Sequence, residues 1–332
     1  MNPPDKLLFT PGPLTTSRTV KEAMLRDLGS RDEEFISIVR DIRRDLLQVG
    51  SVSQKAGYET VLMQGSGTFG VEAILSTAVP HNGRLLVLVN GAYGERMVQM
   101  AHRMGLAAEV LRKPGNSPVT PDDVRATLAR HPDVTHVAVV HCETTTGILN
   151  PVEAIGGVVA ETGKVYIVDA MSSFGGIPLN VAAAKIDFLV SSANKCIEGV
   201  PGFSFVIARR DRLAACEGNS RSMSLDLVDQ WKGLETNGQF RFTPPTHALL
   251  AFAQALRELQ EEGGVEGRAA RYAANHQVLI AGMKQIGFKP CLSPEYQSSI
   301  ITAFHYPDDP RFRFEEFYSR LSRHGMVIFP GK

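Results

Sequence analysis

Lys195 follows the apolar run Asp187-Phe188-Leu189-Val190-Ser191-Ser192 and opens the turn Ala193-Asn194-Lys195-Cys196-Ile197-Glu198-Gly199-Val200-Pro201-Gly202. An amine presented after a buried strand and before a loop broken by glycine and proline is where an α/β enzyme keeps a Schiff-base lysine. Taken alone, a lysine at a strand end is more often a solvated charge. Asp169 changes the balance, because it closes a second such run, Lys164-Val165-Tyr166-Ile167-Val168-Asp169, and leads into Ala170-Met171-Ser172-Ser173-Phe174-Gly175-Gly176.

A third element lies upstream. Gly65-Ser66-Gly67-Thr68-Phe69-Gly70 has the GxGxxG spacing between a strand-like and a helix-like stretch. A dinucleotide site would require an acid at the end of the next strand to hold the ribose, and that strand, Leu85 to Val89, ends in Asn90. No Gly-Lys-Ser/Thr follows, so a Walker loop is excluded as well. The amides of Ser66, Gly67 and Thr68 at a helix N-terminus, with two hydroxyls, form a cradle for one phosphate monoester; a plain tight turn is the alternative. An amine, an acid and a phosphate cradle at neighbouring strand ends make the three-point grip that pyridoxal phosphate (PLP) needs.

Two further positions fit such a ring. Tyr93, in Asn90-Gly91-Ala92-Tyr93-Gly94-Glu95-Arg96, sits in a strand-to-helix loop on the rim of the phosphate turn, where an aromatic face stacks on a pyridine; a core or rim tyrosine is the alternative. His141-Cys142-Glu143-Thr144-Thr145-Thr146-Gly147 is a hydroxyl-rich strand end suited to the ring's phenolic oxygen, or else to capping the helix after Pro151. The adjacent His141 and Cys142 suggest a metal or a reactive thiol, yet neighbours on a strand point to opposite faces. Buried structural roles are expected for both, and no metal site is expected.

The elements that must hold these groups follow from the pattern. Residues 19 to 48 read as helix, interrupted near Gly29. Apolar runs at Thr60–Met63, Arg84–Val89, Ala108–Leu111, Thr135–His141, Lys164–Val168, Asp187–Ser191 and Phe203–Ala208 then alternate with helical stretches near 68–79, 93–104, 121–130 and 151–162. This alternation predicts an α/β fold, a mainly parallel sheet with helices on both faces and ligands at the carboxyl ends of its strands. Beyond Thr243-Pro244-Pro245 come helices at Ala248–Glu262 and Gly267–Ile286, an extended run Ser298–Phe304, a helix at Phe314–His324 and Met326–Phe329, which read as a smaller α+β domain. The expected division is 1–18 as an N-terminal segment joining the small domain, 19–245 as the large domain and 246–332 as the small one.

The 332 residues carry 35 basic and 35 acidic side chains, so no overall field draws in nucleic acid or an anionic membrane. Cys142, Cys196, Cys216 and Cys291 show no metal-ligand spacing. The N-terminal Met1-Asn2-Pro3-Pro4-Asp5-Lys6 lacks a signal-peptide layout, and no uncharged run approaches a membrane span. A soluble, cytoplasmic protein with no nucleic-acid or membrane partner is expected.

Thr10-Pro11-Gly12-Pro13, Gly65-Ser66-Gly67-Thr68, Asn90 to Arg96, Glu143 to Gly147, Val168-Asp169-Ala170, Ser192-Ala193-Asn194-Lys195 and Phe242-Thr243-Pro244 follow the order found in the class V aminotransferases of PLP fold type I, which the chain resembles throughout. The longer strings His141 to Pro151, Asp169 to Gly176, Asn194 to Phe203 and Ser220 to Leu227 resemble the branch of that family acting on 2-aminoethylphosphonate and pyruvate more closely than its alanine:glyoxylate branch. The resemblance implies a homodimer with PLP at the subunit boundary, where Thr243 reaches the phosphate bound to the other chain. It further implies that Ser66, Gly67 and Thr68 hold the phosphate, that Thr144 and Asp169 hold the ring, that Tyr93 stacks on it, that Lys195 carries it covalently, and that Asn194 is among the cofactor-binding residues. Gly12 and Pro13 would border the substrate. Family members continue past Pro330-Gly331-Lys332 into a strand and helix whose arginine grips the substrate's acidic group, and this sequence ends before them. Within the sequence, Arg31 and Arg241 are the candidates for a dianionic phosphonate. Alternatives sharing the machinery are an alanine or serine aminotransferase acting on glyoxylate or pyruvate, and a PLP lyase or cysteine desulfurase, the desulfurase disfavoured because Cys196 is tied beside the lysine. A non-catalytic PLP-binding dimer module is the alternative of another kind.

Overall fold

A computed structural model describes residues 5–330; Met1–Pro4, which belong to the N-terminal stretch read above for targeting signals, and Gly331–Lys332 at the end of the sequence lie outside the described residues. In chain order the elements are β1 (Leu7–Phe9), α1 (Arg18–Glu22), α2 (Glu33–Val49), β2 (Tyr58–Gln64), α3 (Gly67–Ala78), β3 (Arg84–Val89), α4 (Ala92–Arg103), β4 (Ala107–Arg112), α5 (Pro121–Arg130), β5 (His136–Val140), α6 (Val152–Glu161), β6 (Val165–Asp169), β7 (Phe188–Ser192) and β8 (Phe203–Arg209). There follow α7 (Arg210–Ala214), α8 (Leu227–Asn237), α9 (Thr246–Glu261), α10 (Gly264–Gln285), β9 (Lys289–Pro290), β10 (Phe304–His305), α11 (Phe314–Arg323) and β11 (Met326–Ile328).

Seven strands form the central sheet in the order β2-β8-β7-β6-β5-β3-β4. The pairs β3/β4, β3/β5, β5/β6 and β6/β7 are parallel, while β8 runs antiparallel to both β2 and β7. Every residue of β5 and β7 is buried, which is why those strands read as unbroken apolar runs: helices cover both faces of the sheet. The order reverses between β4-β3 and β5-β6-β7, and the crevice outside the strand ends at such a reversal is where an α/β sheet receives its ligand. Asn90, His141, Asp169 and Ser192 stand at those ends.

The break near Gly29 separates α1 from α2, and Asp32 starts α2 by accepting a bond from the Glu34 amide. Helix α8 was not expected, although the sequence carries its punctuation. Asp226 caps the amides of Val228 and Asp229, and Gly238 ends the helix with a φ of +72°. The extended run expected at Ser298–Phe304 shrinks to the two residues of β10. The Ser298 amide bonds to the Gly147 carbonyl and the Gln297 amide group to the Ile301 carbonyl, so this segment folds back over the loop after β5. β1 pairs in parallel with β11, joining the N-terminal segment to the last described strand.

Candidate active site

β7 delivers the lysine. Beyond Ser192 the chain turns sharply: the Glu198 amide bonds to the Lys195 carbonyl (2.7 Å) and the Gly199 amide to the Ala193 carbonyl (2.9 Å). The Lys195 amine donates to the Pro11 carbonyl at 2.7 Å. A Cβ on Gly12, whose φ is +126°, would stand 2.7 Å from that amine, so the segment from Pro11 to Gly12 reaches the lysine only because residue 12 is glycine. Burial lowers the Lys195 pKa, with Asp169 pulling the other way.

β6 delivers the acid. Asp169 is 4% exposed and accepts a bond from the Met171 amide at 2.9 Å. Burial, helped by the nearby Glu143, pushes its pKa up to about 7 against the opposing pull of that amide, Lys195 and Arg96. Among the described residues no cationic side chain is bonded directly to this carboxylate, whose donor is the Met171 amide.

α3 delivers the anion cradle. Ser66 precedes the helix without capping it through its side chain, so the first-turn amides of Gly67 and Thr68 have no acceptor within the helix. α4 starts beside it, and Glu143, fully buried at the end of β5, accepts from the amides of Tyr93 (3.2 Å) and Gly94 (3.3 Å). That carboxylate does the capping that Gly91 cannot do with a side chain, and it holds the backbone from which the Tyr93 ring projects. The Arg96 guanidinium lies 4.5 Å from the ring centroid, one turn along the same helix face.

These groups share one cleft of about 160 Å³. Of the residues expected at the site, Ser66, Gly67, Thr68, Tyr93, Asp169, Asn194 and Lys195 line it. Thr144 is buried beside it, its hydroxyl 2.8 Å from that of Ser172. Gly12 meets the lysine, and Pro13 accepts from the Thr10 hydroxyl at 2.7 Å. Thr243, Arg31 and Arg241 lie outside this lining within one chain. Thr243 is exposed and Arg31 stands in the turn before α2. Arg241 bonds to the Met223 carbonyl (2.8 Å) and pairs with Asp229 (3.1 Å).

Ser192, Met171 and Arg96 line the cleft without having been singled out from the sequence. Arg96 was findable, since it stands three residues after Tyr93 on a helix. Glu143 gave no local signal, because the amides it holds belong to another element. A larger groove of about 370 Å³ between α1, α2 and α9 contains Glu22, Arg26, Glu34 and Arg257 but, among its lining residues, no lysine, cysteine or histidine, and the hydroxyl of its Thr19 is bonded to Glu258. The Arg26–Glu34 ion pair there is already closed, so the chemistry belongs to the smaller cleft.

The decoys resolve on burial. His141 is buried, its pKa lowered to about 4, and its Nδ1 has no partner among the described residues. Burial pushes the thiols of Cys142 and Cys196 up to about 12, far from the thiolate that sulfur transfer requires. Among the described residues no three His, Cys, Asp or Glu side chains are grouped to hold a metal, and no helix is long and apolar enough to cross a membrane.

Residues 16–319 match the family described as aminotransferase class-V. A 2-aminoethylphosphonate–pyruvate transaminase from Syntrophobacter fumaroxidans is 56% identical over 328 residues, covering 98% of this chain and 88% of that one. The protein of the same name from Salmonella heidelberg is 54% identical over 334 residues, covering 98% and 89%. Among solved structures, alanine–glyoxylate aminotransferase from Nostoc sp. superposes with a TM-score of 0.91 at 27% identity, covering 100% of this chain and 88% of that one. Pyridoxamine–pyruvate aminotransferase from Mesorhizobium loti superposes with a TM-score of 0.90 at 26% identity, covering 99% and 84%. These are PLP fold type I enzymes, and the seven-stranded sheet described above is their fold. The chain belongs to the class V aminotransferases.

Proposed function

We propose that this protein moves the amine of 2-aminoethylphosphonate to pyruvate, releasing phosphonoacetaldehyde and L-alanine, with PLP in the cleft between α3, α4 and the ends of β6 and β7. The observation that carries the reading is the convergence of Lys195, Asp169 and the open N-terminus of α3 in one cleft, in a chain 56% identical to a transaminase of that name.

The cleft fits the cofactor at each of its polar corners. The amides of Gly67 and Thr68 with the hydroxyls of Ser66 and Thr68 suit its phosphate. Asp169 has one backbone donor and no cation bonded to it among the described residues, so a protonated pyridine nitrogen supplies what it lacks and returns its pKa to the carboxylate range. The face of Tyr93 suits the ring, and Thr144 and Asn194 suit its edge. When bound, PLP supplies an aldehyde that takes an amine and a ring that accepts the electron pair left on carbon.

The chain's own part is proton transfer and placement. Lys195, with its pKa lowered by burial, takes the proton from the carbon beside the donor's nitrogen at its Nζ, and in the return half with pyruvate gives one back. Asp169 stays ionised beside a cation and sustains the electron withdrawal. Glu143 keeps Tyr93 in place through the backbone. Thr243, exposed within one chain, suits a cofactor phosphate in a partner copy, and the working form is a homodimer in the cytoplasm. Arg31 and Arg241 are the candidates for reaching the phosphonate from such a boundary.

A spectral experiment tests this reading. The visible band of bound PLP should fade when 2-aminoethylphosphonate is added and return with pyruvate. A band that ignores 2-aminoethylphosphonate but fades with alanine would assign the chain to the alanine:glyoxylate branch.

A further inference from the structure

Among the described residues Glu198 is one of three non-glycine residues with positive φ, at +64°, and it stands three positions after Lys195. A side-chain-bearing residue holds that conformation only when its surroundings over-determine it. Here the surroundings come from α10. The buried Arg268 donates to the Cys196 carbonyl, lies 3.5 Å from Glu198 and bonds to Glu262 at 2.6 Å. Arg271 and the Tyr272 hydroxyl each donate to the Glu198 carboxylate at 2.9 Å, and Arg271 also bonds to Glu262. Arg268 is 2% exposed on a helix whose other residues are all at least partly open to solvent, so its inward placement serves this contact.

We propose that Glu198, Arg268 and Arg271 form a clamp that fixes the turn of Lys195 to α10 and so sets where the amine stands. They are positioning residues: they touch the backbone of Cys196 and one another, and act on the reaction through Lys195. The inference rests on Lys195 being the reacting amine. A misplacement of that amine by a fraction of its reach is enough to slow proton transfer strongly, while leaving substrate binding nearly as it was.

The test uses the PLP-loaded enzyme and the variants Glu198→Gly, Arg268→Met and Arg268→Lys. Glycine accepts the positive φ, so Glu198→Gly takes the carboxylate out of the clamp without adding backbone strain, while Arg268 keeps its bonds to the Cys196 carbonyl and Glu262; its melting temperature is measured beside the kinetics to separate lost stability from lost placement. Its kcat should fall about 10- to 100-fold with KM close to the parent's. The isotope effect for a donor deuterated beside nitrogen should rise, and amide hydrogen exchange over residues 196–200 should quicken. Arg268→Met should behave likewise, with Arg268→Lys recovering part of the rate. The proposal is overturned if Glu198→Gly turns over like the parent, if kcat falls without faster exchange at 196–200, or if the loss tracks melting temperature with an unchanged isotope effect. Failure of the underlying reading would show separately, as a parent enzyme in which borohydride does not fix PLP to Lys195.

Discussion

Lys195 and Gly12 lie far apart in sequence, yet a methyl group on Gly12 would stand 2.7 Å from the Lys195 amine. Gly12→Ala therefore adds a clash to a φ of +126° that an L side chain rarely adopts. The expected outcome is a folded protein with turnover lowered about 100-fold, since a small displacement of the reacting amine has that effect. Steady-state kinetics beside a thermal melt check it; parental kcat would show that the amine does not depend on this contact.

Lys195→Ala removes both the covalent anchor for PLP and the proton carrier. The variant should release PLP on gel filtration and lose turnover by several orders of magnitude. In the parent, borohydride reduction followed by peptide mapping should place the adduct on Lys195; finding it on Lys164, Lys185 or Lys232 contradicts the assignment.

Much of this was legible in the sequence. Strand runs separated by helical stretches gave the sheet, because a parallel strand buried on both faces must be apolar throughout, and Lys195 and Asp169 stood out as the charged residues closing two such runs. Glu143 was not legible: its acceptor role depends on β5 ending beside the start of α4, which only the strand order creates. Arg268 was hidden likewise, a lone inward arginine on a helix with no apolar stripe to orient it. The fold-back of Ser298 was missed because its bonds go to Gly147, far away in sequence.

Asp169 makes a pH-dependent contribution to stability whose sign is set by its raised pKa. In the cofactor-free protein the folded state keeps until about pH 7 a proton that the unfolded chain releases near its ordinary value of 3.8. The contribution is thus fully present below pH 4 and is lost as the pH rises through 7. Asp169→Asn, still able to accept from the Met171 amide, should leave the cofactor-free protein as stable as the parent at pH 4 and about 1 to 4 kcal/mol more stable at pH 8. Urea unfolding at the two pH values measures this, and equal differences at both would contradict it. The PLP-loaded variant should nonetheless be slower in proton transfer.

Glu143→Ala takes the carboxylate acceptor from the part-buried amide of Tyr93 and the buried amide of Gly94, the buried one at a cost of about 1 to 3 kcal/mol. Thermal unfolding should register the loss, and PLP retention should weaken because Tyr93 is no longer fixed. Unchanged PLP affinity in a destabilised variant would confine Glu143 to a structural role.

The central claim is amino transfer between 2-aminoethylphosphonate and pyruvate, and the most direct measurement is kcat/KM for that pair beside kcat/KM for alanine with glyoxylate. The 2-aminoethylphosphonate and pyruvate pair should be preferred by at least about 100-fold, because a site built to hold a dianionic phosphonate leaves polar groups unpaired when a smaller carboxylate substrate enters. Equal values, or a preference for alanine with glyoxylate, would contradict the claim while leaving Lys195, Asp169 and the phosphate cradle in their places.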